Sequence, residues 1–243
     1  MMITKYSLYL ESGPRRQKTM VHVLDLLGCI AQGATTEAAL EATPEAIRAY
    51  LRFLQRHGEA FKPKGKFTIA IAEHVMEGSW LGNGDPTSGF TPDFQPLTAK
   101  ELKIYLERWG WLRTDLLQLM RDVPRRQMLA EPGKGRSLNR ILEHIADSDG
   151  TYLRYLVGKV DNLSDALHAI RQGPDDLPAA LNRVWEIEHA RLQGLTEKER
   201  KQQVKHGQVT WTARRALRRM LEHDWEHWLE IAERLHRRIE FGV

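Results

Sequence analysis

The polar and apolar positions change period along the chain. Tyr6, Leu8 and Leu10 fall on one face of a first extended run, and Met20 to Leu24 forms a second. Ser12-Gly13-Pro14 between them is a turn signal, so a hairpin is predicted. From Thr35 to Arg56 the period becomes helical, with Leu40, Ile47, Leu51 and Leu54 on one stripe and Thr35 or Thr36 able to cap the start. Pro44 sits inside that stripe and lacks a backbone donor, which predicts a kink or two shorter helices. Phe67, Ile69 and Ile71 then alternate with Thr68 and Ala70 as a later strand. Strands, helix and strand make a small α+β domain, placed at residues 1–77.

Residues 78–97 lose this periodicity. Gly78, Gly82, Gly84, Pro86, Gly89, Pro92 and Pro96 punctuate them as they would a linker, while Trp80, Phe90 and Phe94 predict that the stretch packs against something. Beyond it, residues 98–243 read as helical throughout. Four main helices are predicted at about 98–121, 138–157, 177–195 and 212–238, with Ser137 and Thr210 or Thr212 as caps. Glycine or proline marks each gap: Pro124, Pro132, Gly133 and Gly135, then Gly158, Gly173 and Pro174, then Gly207. Helices of this length without an intervening strand pattern predict an all-α antiparallel four-helix bundle.

Composition narrows the class. Hydrophobic residues are 42% of the chain and charged residues 28%, the balance of a globular protein with a core. The single cysteine, Cys29, allows no internal disulfide, the N-terminus lacks the apolar run of a signal peptide, and no stretch reaches membrane-spanning length. A cytoplasmic protein with no membrane partner is expected. The net charge of +4 includes a cluster, Arg214, Arg215, Arg218 and Arg219, with Arg237 and Arg238 further on. A phosphate-binding stripe and a solvated helix face in which Arg218 pairs with Glu222 are the two readings. No recognition motif accompanies the arginines, so nucleic acid is not the expected partner.

Of ten histidines, seven need no special chemistry: His22, His57, His74, His168, His189, His206 and His236 read as exposed or hydrogen-bonded, with His206 in a loop. His223 and His227 differ because they are four apart on the longest predicted helix, and their side chains lie one above the other. Two ligands do not complete a metal site. His144 lies in the first half of the second helix, where an antiparallel bundle can turn it toward the fourth. Three imidazoles suit Zn²⁺, Ni²⁺ or Fe²⁺ and leave a coordination position open; inward histidines that only hydrogen-bond one another are the alternative. Glu143, Glu222 and Glu226 adjoin the histidines but point about 100° away on a helix, and are expected to face solvent. Glu226, three residues from His223, can also approach from the side, and Asp147 and Ser148, one turn from His144, are candidates to support it.

Two segments carry a family resemblance. Asn139-Arg140-Ile141-Leu142-Glu143-His144-Ile145-Ala146-Asp147 and Met220-Leu221-Glu222-His223-Asp224-Trp225-Glu226-His227 resemble the second- and fourth-helix signatures of the DinB-like superfamily, over about residues 98–240. The resemblance implies a four-helix bundle with a divalent metal on His144, His223 and His227, and an activity like that of its thiol-dependent relatives, bacillithiol transferases and mycothiol-dependent isomerases. It also implies a homodimer. In the N-terminal domain, Leu24-Asp25-Leu26-Leu27-Gly28-Cys29, Gly33-Ala34-Thr35 and Glu37-Ala38-Ala39-Leu40 resemble the HicB-like antitoxin domain over residues 3–75. That family usually has prolines at the places of Leu24 and Leu27, and aspartate at Ala34. It pairs with a small toxin and often carries a DNA-binding domain, which this chain does not display.

Two functions follow as expectations. One is a metal-dependent transferase or hydrolase acting on a small molecule, with a low-molecular-weight thiol from outside the chain because Cys29 lies in the other domain. The other is a non-catalytic interaction or regulatory protein related to HicB antitoxins, its metal structural or absent.

Overall fold

The computed structural model describes residues 3–62, 64–78, 80–173 and 176–236; Pro174, Arg237 and Arg238 lie outside them. The chain divides into one compact unit running to Phe94 and a second beginning at Gln95.

The first unit is a four-stranded sheet in the order β3-β2-β1-β4, with one long helix. The predicted hairpin is β1 (Thr4–Ser12) and β2 (Gln17–Val23), antiparallel, with Tyr9 opposite His22 and Ser12 opposite Thr19. A third strand, β3 (Cys29–Thr35), extends it antiparallel on the far side of β2 and is absent from the sequence prediction. Its Gln32-Gly33-Ala34 stretch has no alternating apolar pattern to reveal it. Helix α1 (Thr36–Arg56) follows, capped by the Thr35 side chain on the amide of Ala38, and packs on β2 and β3. Pro44 lies inside this single helix, so the expected split does not occur. The buried stripe of Ile47, Tyr50, Leu51 and Leu54 holds the helix against the sheet after the proline. Strand β4 (Phe67–Val75) returns parallel to β1 as an edge strand, with a register shift beside Leu8 and Tyr9.

Tyr6, Leu8 and Leu10 are all buried, as one face of a strand requires. On β4 the alternation does not produce a buried face, because an edge strand is covered less; Ile71 is exposed. Residues 78–94 belong to the first unit. Leu81 and Phe90 are buried there, Phe90 against Tyr9 and His22, whereas Trp80 is exposed. Glu11 organises the turn: its Oε1 accepts from the amides of Gly82, Gly84 and Asp85.

The second unit is a helical bundle. Its long helices are α2 (Ala99–Met120), α4 (Leu138–Val157), α6 (Leu177–Gln193) and α8 (Ala213–Arg234), within a turn of the predicted bounds over the described residues. Side chains close their first turns: Thr98 with Glu101 in a capping box, Ser137 on Arg140, Asp176 on Ala179 and Thr212 on Arg215. Helix α8 packs against α2 and α4, and α6 against α2, α4 and the short α5 (Leu163–Arg171). The short helices α3 (Arg125–Leu129) and α7 (Glu197–Lys201) complete the helical set of the described residues.

The bundle carries one addition that the hydrophobic pattern does not announce. A hairpin, β5 (Val204–His206) and β6 (Val209–Trp211), precedes α8 and turns at Gly207, whose φ is +60°. His206, expected in a loop, lies in β5 and its Nε2 sits 2.9 Å from the carbonyl oxygen of Tyr155. Trp211 stacks on Tyr152 and lies against Tyr155, so the hairpin packs on α4.

Candidate metal centre

Three imidazoles meet between α4 and α8. His144 comes from α4 and is partly exposed; His223 and His227, one turn apart on α8, are each 7% exposed. The Nε2 of His223 lies 3.1 Å from that of His144 and 3.2 Å from that of His227. The rings stand nearly perpendicular to one another, at interplanar angles of 73°, 83° and 89°, so their nitrogen edges converge while their faces do not stack. The sequence expectation named these three residues, and they form a group with ligand atoms within 4.8 Å of one another.

Tautomers decide what the cluster can hold. The Nδ1 of His227 is 2.7 Å from the Oε2 of Glu230. A carboxylate only accepts, so Nδ1 carries a proton, and in the neutral ring the Nε2 of His227 then presents a lone pair. The Nε2 of His223 carries at most one proton and can satisfy only one of its two neighbours. Without a cation, one of the two close nitrogen contacts is left with no aligned hydrogen bond across it. A tetrahedral ion with Zn–N bonds of ~2.0–2.1 Å sets its ligand nitrogens ~3.3 Å apart, close to the two contacts that His223 makes. The donor set therefore fits a divalent transition ion.

The electrostatics favour neutral, ligating imidazoles. Burial pushes the His144 pKa down to about 4, helped by the charge of Arg136 and by His227. Burial likewise holds His223 well below the usual histidine value, with His227, His144, Arg219 and Arg113 adding to the effect. Glu230 is lowered by its hydrogen bond to His227 and by Arg234, whose Nη2 is 2.6 Å from its Oε1. A metal displaces no proton from such rings near neutral pH.

Beneath His223 lies a buried ionic cluster. Arg113 pairs with Asp149 and, at 2.9 Å, with Asp224, which also accepts from the Trp109 indole at 2.8 Å. Asp149, His223 and Asp224 form a second group with metal-ligating atoms near one another. Arg113 already supplies positive charge to both of its carboxylates, which makes this the poorer place for a cation.

The supporting residues differ from those expected. Among the described residues Asp147 pairs with Arg171 at 2.7 Å and Ser148 makes no hydrogen bond to His144, so neither supports that ring. Glu222 does not face solvent: it is 2% exposed and pairs with Arg218 at 2.8 Å. Glu143 accepts from Asn139 at 2.6 Å, and Glu226 is half-buried. The carboxylate that holds one of the clustered imidazoles is Glu230, three after His227 on the same helix, a spacing that could have identified it. The arginine cluster is neither a phosphate stripe nor a solvated face, since Arg215, Arg218 and Arg219 are buried; the predicted Arg218–Glu222 pair is present.

The other histidines stay away from the cluster. His22 is buried in β2, and the Nε2 of His74 lies 2.7 Å from the Ser12 hydroxyl in the first unit. His189 packs on Trp185. Cys29 is buried and forms no disulfide. No described helix is long and apolar enough to cross a membrane.

The bundle and its histidine cluster define a class that comparison with known families identifies. The chain belongs to the DinB superfamily, whose profile matches residues 108–231, just over half its length and all three clustered histidines. Searches of curated proteins and of solved structures found no match.

Proposed function

We propose that the second unit binds a divalent transition metal, Zn²⁺, Ni²⁺ or Fe²⁺, through His144, His223 and His227, and that it is a metal-dependent transferase or hydrolase acting on a small molecule. The observation that carries the reading is the convergence of three imidazoles, with the Nε2 of His223 3.1 Å from that of His144 and 3.2 Å from that of His227, whose far nitrogen is held by Glu230. Three protein ligands leave a coordination position open, the arrangement of catalytic sites more than of structural ones. An ion there lowers the pKa of a water or thiol placed in that position, supplying a nucleophile near neutral pH. Among the residues of the chain, Glu230 orients His227, Tyr152 stands edge-on to His223 at 6.4 Å, and the partial exposure of His144 leaves an approach for substrate. Cys29 is fully buried, so the thiol of a transfer reaction comes from a low-molecular-weight partner.

Elemental analysis of untagged protein is expected to find about one transition metal per chain, lost in His223→Ala. Thiol conjugation to an electrophile should depend on that metal. Wild type that stays metal-free after reconstitution overturns the site; a full complement of metal with no exchangeable ligand points to a structural role and a non-catalytic protein.

A further inference from the structure

We propose that the mouth of the histidine cluster carries a subsite for an anionic group, with Arg136 as its cation. The small molecule taken there then bears a carboxylate or a comparable acid near its reactive atom. The proposal rests on the metal-site reading above and names the substrate class for it.

The first argument is a charge count around the three imidazoles. Glu230 is engaged by His227 and Arg234. Asp149 and Asp224 share Arg113. Arg219 lies 3.6 Å from Glu222 and over the Tyr152 ring. Arg136 is different. Its guanidinium is exposed and has no hydrogen bond or ion pair among the described residues. It is nevertheless near enough for its charge to act on both His144 and Glu230. The acidic group that would ordinarily answer it, Glu230, is already engaged by Arg234 and His227, which leaves the charge of Arg136 for an incoming anion.

The second argument is position. The carbonyl oxygen of Arg136 accepts from Arg234 Nη1, which ties the segment before α4 to the last turn of α8. Gly135 has a φ of +92°, and a Cβ there would stand 3.0 Å from Arg234 Nη2, so the backbone passes the guanidinium closely. Ser137 then caps α4. Arg136 is thus anchored by its backbone beside the ends of the two helices that carry the histidines, while its side chain keeps its freedom. A bland alternative is a solvated arginine with no ligand, and experiment separates the two.

The full-length protein loaded with Co²⁺ gives a visible spectrum that responds when a thiol binds the ion. 3-Mercaptopropionate and 2-mercaptoethanol serve as an anionic and a neutral probe of similar size. The ratio of their dissociation constants is compared between wild type and Arg136→Gln, which cancels the intrinsic difference between the thiols. Wild type is expected to favour the anion about fivefold more than Arg136→Gln does, the size of one contact between partly solvated charges, with the preference shrinking as salt rises. Arg136→Lys should keep most of it. Equal ratios in wild type and Arg136→Gln, with cobalt that responds to both thiols, overturn this proposal alone; cobalt that responds to neither overturns the catalytic reading with it. Protein that takes up no cobalt overturns the metal reading and this proposal with it.

Discussion

The Nδ1 of His227 lies 2.7 Å from the Oε2 of Glu230, and this contact decides which nitrogen of the ring is left bare. Carboxylates that hold the far nitrogen of a ligating histidine fix its tautomer and raise its basicity, and their loss typically lowers metal affinity ~10–100-fold. Glu230→Ala is expected to weaken metal binding within that range. Glu230→Gln, which keeps an acceptor but not the charge, should fall between. Competition with a chromophoric chelator measures both, and circular dichroism checks that α8 is intact. Wild-type affinity in Glu230→Ala would remove the carboxylate from the site.

Glu188 sets a different dependence. It is fully buried, neither carboxyl oxygen has a hydrogen-bond partner among the described residues, and burial pushes its pKa up to about 8 against the pull of Arg113. In the unfolded chain the group titrates near 4.5, so between that value and about 8 folding takes up a proton. Its contribution to stability is therefore largest at acid pH and falls as pH rises through this window. Each pKa unit is worth ~1.4 kcal/mol. Urea unfolding of Glu188→Gln should show a flatter profile from pH 5 to pH 8, with a gain over wild type that grows by more than ~1 kcal/mol across it. Parallel profiles would mean that Glu188 is ionised in the fold.

In the first unit, Gly82 has a φ of +78°, and a Cβ on it would lie 1.5 Å from the carbonyl oxygen of Lys18. Its amide also donates to Glu11. Gly82→Ala thus meets both an unfavourable backbone region and a clash that no side-chain rotation relieves. A loss of ~2–4 kcal/mol is expected, against less than ~1 kcal/mol for Gly58→Ala, where the added methyl meets open space and only the φ of +96° opposes it. Chemical denaturation of the two variants compares them directly.

Local signals in the chain explain which parts of the structure were legible. Thr98, Ser137 and Thr212 mark helix starts through their own side chains, and glycine and proline mark the gaps, so the four long helices could be placed by reading along the sequence. His144, His223 and His227 were found because helical spacing and a family pattern coincide at them. What escaped depends on partners far away in sequence. Strand β3 shows itself by pairing with β2, and β5 and β6 are three residues each, too short for a period to register. The arginines of α8 look like a surface because charge ordinarily seeks water; their burial follows from their partners, which a linear reading does not supply.

That burial gives the last prediction. Arg218 is 0% exposed, and its Nη1 lies 2.8 Å from the Oε2 of Glu222, itself almost fully buried. Removing one member of such a pair leaves a desolvated charge and typically costs ~3–5 kcal/mol, whereas replacing both with apolar residues of similar volume is often close to neutral. Arg219, at 3.6 Å, still faces Glu222, so Arg218→Met should sit toward the lower end of that range. The double variant Arg218→Met/Glu222→Met should recover part of the loss, less than a simple pair would, because it also takes this carboxylate from buried Arg219. A surface stripe predicts the opposite: little change in unfolding for Arg218→Met and a weaker, salt-dependent attraction to polyanions. Urea midpoints for the two single variants and the double decide between these, and a single variant that unfolds at the wild-type midpoint would show that the pair does not hold the helix.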